Sequence, residues 1–171
     1  YRSILDYDTP IEWINTEGME CNEEFVGESF GRINKEEAAL SISQLTNYIN
    51  KIGKDRFLEE RIDVGLISPY KAQVQYLRQL IKRDAFFKPY RHLITINTVD
   101  GFQGQERDVI LISLVRANEE GQIGFLNDLR RMNVAITRAR MKLIILGDAS
   151  TLTKHPFYKK LYEYIYSLQT H

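Results

Sequence analysis

The stretch DVGLIS at residues 63–68, which Pro69 interrupts, decides the fold class. It is a short, almost continuous apolar run of strand length. Three further runs of this kind follow along the chain, at residues 92–97 (HLITIN), 109–114 (VILISL) and 142–146 (KLIIL). Segments with helical spacing separate them, so these strands are expected to be buried on both faces. The sequence therefore predicts an α/β domain with a mostly parallel sheet and helices on both faces.

Helix signals are clearest after residue 33. Asn34 is a good N-cap residue, Glu36 and Glu37 suit the first turn because of the helix dipole, and Gly53 can end the helix. Apolar residues recur at helical spacing between these two ends. The other expected elements are a short strand at residues 10–15 (PIEWIN) and helices from about Lys71, over residues 127–138 and from about Pro156.

The 171 residues are expected to form a single domain, with residues 1–30 as a peripheral strand and loop and residues 31–168 as the core. Because the chain begins with Tyr1 rather than Met, we expect it to be a piece of a longer protein. Its one cysteine, Cys21, cannot form an internal disulfide, which favours an intracellular setting, cytoplasmic or nuclear. No apolar stretch reaches the roughly 20 residues that a membrane span needs, so no membrane partner is expected.

Charge is distributed unevenly, although 23 basic and 23 acidic residues give a net charge of zero. A neutral chain by itself argues against a nucleic-acid partner. Two segments, residues 71–92 and 128–142, nevertheless contain several basic residues and one acid each, and local basic surfaces can bind phosphate. The alternative for residues 71–92 is a solvated helix face, and charge alone leaves both interpretations open.

Residues 98–106 (TVDGFQGQE) follow the predicted strand HLITIN. Gly101 and Gly104 leave backbone amides open to a closely approaching ligand. Gln103 and Glu106 add an amide and a carboxylate, which we expect at the same strand end. The alternative is a tight capped turn between two core strands, and the residues alone do not decide between a ligand loop and a turn.

Residues 130–140 (RRMNVAITRAR) predict an amphipathic helix that ends in two arginines, Arg138 and Arg140, at the start of a buried strand. An arginine that is held rigidly at such a place can bind a phosphate with two parallel hydrogen bonds. The alternative is a helix whose charges form surface salt bridges, and it stays open at this point.

Several motifs of nucleotide and metal chemistry are absent from the sequence. There is no G-x-x-x-x-G-K-[ST] phosphate loop, no pair of carboxylates at a strand end to hold magnesium, and no cysteine–histidine spacing for zinc. The Gly-x-Ser-x-Gly nucleophile motif is also absent. We therefore expect no metal ligands in this chain, and we expect that it cannot bind and hydrolyse a nucleotide by itself in the usual way.

Five segments together carry a family resemblance. They are GLISPYKAQ (65–73), TVDGFQGQERD (98–108), VRAN (115–118), GFLND (124–128) and RRMNVAITRAR (130–140). Their order and spacing resemble the second RecA-like domain of superfamily-one helicases, in the branch of the nonsense-mediated-decay and immunoglobulin-mu-binding helicases. The resemblance covers about residues 28–165. It implies a three-layer RecA-like fold, related to phosphate-loop NTPases, and an ATP-dependent DNA or RNA helicase that moves 5′ to 3′.

The resemblance implies a role for each residue that matches a family motif. Arg138 resembles the catalytic arginine that reaches the γ-phosphate of ATP across the cleft between two RecA-like domains. Arg140 resembles a residue that supports this nucleotide-binding face. Gly104 matches a glycine whose backbone approaches the γ-phosphate, and Glu106 matches a carboxylate that contacts the ribose. Gln103 matches a catalytic residue between the nucleotide and the nucleic acid.

The partners also follow from the resemblance. ATP with Mg²⁺ would lie between this domain and the first RecA-like domain of the same chain, which would supply the phosphate loop and the Mg²⁺ ligands. The other partner would be a single-stranded or partly duplex nucleic acid, held by its backbone. The residues that resemble this grip are Ser68, Pro69, Tyr70, Gln73, Thr98 and Asp100.

One motif of the family is missing from the sequence. Tyr-Arg-Met-His-Pro, which would add a further γ-phosphate arginine, does not occur. The alternative to half of a helicase motor is a non-catalytic scaffold, derived from a helicase domain, that binds nucleic acid or protein. Arg138, Gly104 and Glu106 argue against the scaffold, because a scaffold does not need them.

Overall fold

The computed structural model describes residues 11–19, 23–25, 32–102, 105–117 and 128–169. Its strands are β1 (Ile11–Asn15), β2 (Glu24–Phe25), β3 (Arg32–Ile33), β4 (Val64–Ser68), β5 (Ile94–Thr98), β6 (Arg107–Ser113) and β7 (Ala139–Gly147). Its helices are α1 (Lys35–Ile52), α2 (Lys54–Glu59), α3 (Lys71–Arg83), α4 (Leu129–Ile136), α5 (Ala149–Leu152) and α6 (Pro156–Gln169), with 3₁₀ segments at Ala85–Leu93 and Asp100–Phe102. None of these helices is both long and apolar enough to cross a membrane.

Within the described residues, five strands form one sheet in the order β1-β7-β6-β4-β5, while β2 and β3 pair with each other in an antiparallel ribbon. Strand β4 lies between β6 and β5, with Val64 opposite Val109 on one side and Ile94 on the other. Strand β1 is added at the far edge, where Ile11 lies opposite Leu143. All neighbouring strands of this sheet run parallel, which confirms the predicted sheet type.

Helices cover both faces of the sheet and enclose a hydrophobic core on each side. On one face, α1, α2, α3 and the segment Ala85–Leu93 pack against strand residues that include Leu66 and Leu111. On the other face, α4, α5 and α6 pack against strand residues that include Ile110 and Ile145. Neighbouring positions along β6 thus contribute to opposite cores. The result is the three-layer α/β arrangement that the sequence predicts for a RecA-like domain.

Helix α1 begins and ends where the sequence predicts. The side chain of Asn34 accepts a hydrogen bond from the amide of Glu37 (3.0 Å), as an N-cap residue does. At the other end, Gly53 has a φ of 98°, and its amide donates to the carbonyl of Ile49 (2.9 Å). Glycine adopts this backbone conformation without steric cost, so Gly53 can end the helix.

The segment before β5 differs from the prediction. His92 and Leu93 belong to a 3₁₀ segment, and the strand begins only at Ile94. The physical reason is a change of period, because Phe87, Tyr90 and Leu93 are buried at three-residue spacing. This spacing is the repeat of a 3₁₀ helix. Leu93 therefore packs with that segment rather than with the strand that follows.

Helix α4 ends two residues earlier than predicted. Thr137 is the C-cap residue, and its backbone N–H donates to the carbonyls of Asn133 (3.1 Å) and Val134 (3.2 Å). Its hydroxyl lies within hydrogen-bond distance of the same two carbonyls, at 2.9 and 3.0 Å. Arg138 consequently lies in a turn, and β7 begins at Ala139, three residues before the expected strand. The short helices α2 and α5 have no counterpart in the prediction.

The connection between β5 and β6 has to cross the sheet. Both strands run parallel to β4. Strand β5 therefore finishes where the carboxyl ends of the strands lie, which we call the carboxyl edge, and β6 begins where their amino ends lie, which we call the amino edge. Phe102 lies in this connection and is fully buried. It packs over Gly65 of β4, where an added methyl group would lie 2.9 Å from the Phe102 ring and 2.7 Å from Ile110. A glycine in β4 therefore provides the space for the crossing chain.

Gly65→Ala should lower the free energy of unfolding by about 1–3 kcal/mol, because the added methyl group forces a well-packed core to shift. Urea unfolding followed by circular dichroism measures this change. In a Phe102→Leu background the smaller side chain makes room, so the same substitution should cost less there. A Gly65→Ala protein as stable as the wild type would contradict this account of the crossing.

Candidate functional site

The crossing distributes the predicted site residues over two opposite edges of the sheet. Ser68 and Thr98 end β4 and β5 at the carboxyl edge. Glu106 immediately precedes β6, and Arg138 immediately precedes β7, at the amino edge. The expectation that Glu106 lies at the same strand end as the start of its loop is therefore wrong. The connection between two strands that both run parallel to β4 must start at the carboxyl end of one and finish at the amino end of the other.

The amino-edge group consists, as far as the structure describes it, of Glu106 and Arg138. The amide of Arg107 donates to the carbonyl of Arg138 (3.0 Å), so the segments before β6 and β7 lie side by side. Glu106 is exposed to solvent. Gln103 and Gly104, which the family motif assigns to the same site, lie outside the described residues, and their roles stay predictions.

Arg138 is partly buried, and the end of α4 holds its side chain. Its Nε donates to the carbonyl of Val134 (3.1 Å), and its Nη2 lies 3.4 Å from the hydroxyl of Thr137. It forms no ion pair with a carboxylate of the described residues. Further N–H groups of the guanidinium remain for an anion. An arginine with a fixed stem and an unneutralised charge is suited to bind phosphate.

Arg140 lies only two residues further along the chain but has very different surroundings. Its guanidinium forms ion pairs with Asp63 (3.1 Å) and Asp108 (3.1 Å), at the amino ends of β4 and β6. Each aspartate also accepts from the amide of the other, at 2.7 and 3.2 Å. The role of Arg140 at the nucleotide-binding face stays a prediction, and these ion pairs fit a supporting role. Two carboxylates neutralise its charge, and it ties together the starts of three strands.

Three of the residues assigned to the nucleic-acid grip are buried at the carboxyl edge. Ser68 and Gln73 have no exposed surface, and Tyr70 is 3% exposed. The amide group of Gln73 donates to the carbonyl of Asn34 and the hydroxyl of Ser113, and it accepts from the amide of Asn34, each at 3.0 Å. Their part in the nucleic-acid grip stays a prediction, and in this structure the three buried side chains support the loop from inside.

The exposed part of this edge is a shallow cleft between the loop after β5 and the start of α4. Pro69, Thr98 and Asp100 line the cleft together with Arg131. Nη2 of Arg131 lies 3.4 Å from the Asp100 carboxylate, and both side chains are more than half exposed. Arg131 is not among the residues that resemble the family's nucleic-acid grip. Its membership of the basic segment 128–142 is the sequence signal that could have found it.

The basic segment 71–92 behaves mainly as a solvated face. Arg78 donates twice to the carbonyl of Ile96 (2.7 and 3.1 Å), and Arg91 donates to the carbonyl of Lys82 (2.6 Å). These two arginines fasten α3 and the 3₁₀ segment to neighbouring backbone. Other basic residues of the segment, such as Lys71, are exposed. The contacts favour the structural interpretation of this charge over a phosphate site.

A buried polar network that the sequence does not predict lies at the carboxyl edge. Glu37 in the first turn of α1 is fully buried, and its Oε1 accepts from the hydroxyl of Ser113 (2.6 Å) and the amide of Val115 (2.8 Å). Burial raises the pKa of Glu37 to about 7, although these hydrogen bonds act to lower it. Glu37 therefore does more than complement the dipole of α1, because it binds the end of β6.

The family comparison covers both groups of site residues. The AAA domain family matches residues 1–150, which contain the whole parallel sheet together with Arg138 and Arg140. The chain belongs to the superfamily-one helicases. This membership confirms the resemblance that the five sequence segments carry.

Relatives with helicase names match most of this chain. An uncharacterised ATP-dependent helicase of Methanocaldococcus jannaschii is 38% identical over 168 residues, which are 98% of the chain and 22% of that protein. The DNA replication ATP-dependent helicase/nuclease DNA2 of Mus musculus is 35% identical over 95% of the chain and 14% of its own length. The putative regulator of nonsense transcripts 1 of Takifugu rubripes is 36% identical over 90% of the chain and 13% of its own length. The chain thus spans between 13% and 22% of these relatives.

The two arginines of the amino edge should differ in their effect on stability. Arg140→Ala leaves two carboxylates without their cation, one of them the buried Asp108, and should lower the free energy of unfolding by about 1–3 kcal/mol. Arg138→Ala breaks no ion pair and should change it by less than about 1 kcal/mol. Urea unfolding of both variants measures the difference. A larger loss for Arg138→Ala than for Arg140→Ala would contradict the assignment.

Proposed function

We propose that this chain is the second motor domain of an ATP-dependent nucleic-acid helicase and that Arg138 completes its ATPase site. The observation that supports this most is the contrast at the amino edge. Arg138 lies next to the segment of Glu106 and has no carboxylate partner among the described residues, whereas Asp63 and Asp108 neutralise Arg140. The Arg138 guanidinium therefore keeps its positive charge and further N–H donors for a bound phosphate.

Arg138 would act on the charge that develops during phosphoryl transfer. A guanidinium close to the γ-phosphate stabilises the transition state more than the bound substrate, and this difference accelerates hydrolysis. An arginine in this role contributes roughly a thousand- to a hundred-thousandfold to the rate. Because Arg138 and the phosphate loop would belong to different domains, hydrolysis would require that the two domains close on each other.

The nucleotide in this proposal is ATP with Mg²⁺. Glu106 would contact the ribose, the backbone of Gly104 would approach the γ-phosphate, and Gln103 would lie between the nucleotide and the nucleic acid. In the part of the chain that the structure describes, no three carboxylate, imidazole or thiol side chains come together as a metal site. By the family resemblance, the phosphate loop and the Mg²⁺ ligands would come from the first RecA-like domain of the same protein.

The second substrate is a single-stranded or partly duplex nucleic acid, which would bind at the carboxyl-edge cleft by its phosphodiester backbone. Pro69 and Thr98 offer partly exposed surface there. The more than half-exposed guanidinium of Arg131 lies beside them, where Asp100 (3.4 Å) and Asp128 (3.5 Å) orient it, and it would exchange these carboxylates for phosphate on binding. Backbone contacts of this kind do not depend on base sequence. One of the similar helicases is named for DNA replication and another for nonsense transcripts, so the proposal covers both DNA and RNA.

The separation of the two sites suits a motor. Closure around ATP at the amino edge would move the whole domain, and with it the cleft at the carboxyl edge, relative to the strand. Repeated closing and opening would then advance the grip along the nucleic acid. Movement from 5′ to 3′ and an intracellular location are the further parts of this proposal that rest on the family resemblance alone.

Arg138→Lys in the full-length protein should reduce kcat for strand-stimulated ATP hydrolysis by at least about a hundredfold, because lysine keeps the charge but loses the planar fork. The affinity for ATP and for single strands should change little. Single-turnover hydrolysis and equilibrium binding measure these quantities. Arg140→Lys is the matched control and should retain most of kcat. A greater loss for Arg140→Lys, or no hydrolysis in the wild type, would contradict the proposal, and the latter result would favour the scaffold.

A further inference from the structure

Val115 has a backbone conformation that a β-branched residue rarely adopts. Its φ is +72°, and the amide of Arg116 donates to the carbonyl of Leu114 across it at 2.8 Å. A three-residue turn with this hydrogen bond and a positive φ is a strained γ-turn. Val115 is also completely buried. A strained conformation of this kind persists only where the surrounding structure enforces it.

Two side chains from the start of α1 enforce the turn. Oε1 of Glu37 accepts from the amide of Val115 (2.8 Å), and Nδ2 of Asn34 donates to the carbonyl of Val115 (3.0 Å). Both contacts join residues that are far apart in sequence, 78 and 81 positions. Asn34 and Glu37 are themselves linked through the N-cap hydrogen bond. We name the pair Asn34 and Glu37 the turn clamp.

The turn determines where Arg116 points. The guanidinium of Arg116 is almost completely buried, forms an ion pair with Glu23 (3.1 Å) and donates to the hydroxyl of Tyr70 (3.2 Å). Tyr70 directly follows Pro69, which lines the carboxyl-edge cleft. The turn clamp is therefore connected, through Val115, Arg116 and Tyr70, to the loop that would contact the strand.

We propose that Asn34 and Glu37 are positioning residues for nucleic-acid binding, which hold the strained turn at Val115 and thereby keep the Pro69 loop in its strand-binding shape. The ligand that this shape would receive is the phosphodiester backbone of a single strand. The inference rests on the proposed function of the carboxyl-edge cleft. It adds two residues that would not contact the nucleic acid. They would influence its binding through the position of Arg116.

Position 37 contributes one well-placed acceptor oxygen to the turn. Oε1 of Glu37 accepts from both Ser113 and Val115, whereas its buried Oε2 has no hydrogen-bond partner. A glutamine can present the same oxygen, and an alanine removes it. Glu36 is exposed in the same turn of α1. It provides a matched control for the loss of one acidic side chain from this turn.

Binding of a fluorescently labelled, mixed-sequence single-stranded oligonucleotide to this chain tests the proposal by anisotropy at low salt. Glu37→Ala should weaken binding roughly tenfold, a change of about 1.4 kcal/mol, while Glu37→Gln should stay within about twofold of the wild type. Glu36→Ala should also bind like the wild type. Amide exchange at Val115 and Arg116 should become faster in Glu37→Ala but not in Glu37→Gln, which shows that the turn itself has loosened.

A glycine at position 115 separates positioning from a general loss of stability. Glycine adopts a positive φ without strain, so Glu37→Ala should cost less affinity in a Val115→Gly background than in the wild type. Equal cost in both backgrounds, or wild-type affinity in Glu37→Ala, would overturn the inference alone. A wild-type chain that does not bind the oligonucleotide would instead contradict the proposed function of the cleft, and the inference with it.

Discussion

Strand β4 runs parallel to both of its neighbours, β5 and β6, and both candidate sites depend on this constraint. The chain must leave β5 at the carboxyl edge and enter β6 at the amino edge, so residues of the loop between them lie at both edges. Phe102 fixes the crossing by packing over Gly65. The motif that begins at Thr98 and ends at Glu106 is therefore divided between the carboxyl edge, where we propose that nucleic acid binds, and the amino edge, where we propose that the nucleotide binds.

The two edges are stabilised by different polar interactions. At the amino edge, Arg140 joins Asp63 and Asp108. Arg138, like the neighbouring Arg107, has no carboxylate partner among the described residues. At the carboxyl edge, the polar contacts lie inside the fold, where Glu37 holds the end of β6. In both places, a buried or paired side chain fixes the backbone next to the residues that we propose contact a ligand. Binding sites at the ends of parallel strands need such supporting residues, because the support keeps the binding residues in a fixed geometry.

Much of the fold could be predicted from the sequence because its signals are local. The cap at Asn34, the end of α1 at Gly53 and the apolar runs of the strands need only neighbouring residues to be recognised. The partners of Arg140 lie 32 and 77 positions away, so only the family resemblance, and no local pattern, distinguished Arg140 from Arg138. The sequence also could not predict that Gln73 and Glu37 are buried, because both residue types are usually exposed and only the tertiary fold encloses them here.

In the proposed function, the single-stranded nucleic acid and the nucleotide bind at opposite edges of one sheet. Amide chemical shifts of this chain, followed by NMR during titration with a single-stranded oligonucleotide, test it most directly. The account predicts that the largest shifts occur at the carboxyl edge, around Thr98, Asp100 and Arg131, while Arg107 and Arg138 at the amino edge change little. Shifts that are largest at Arg107 and Arg138 would contradict the separation of the two sites.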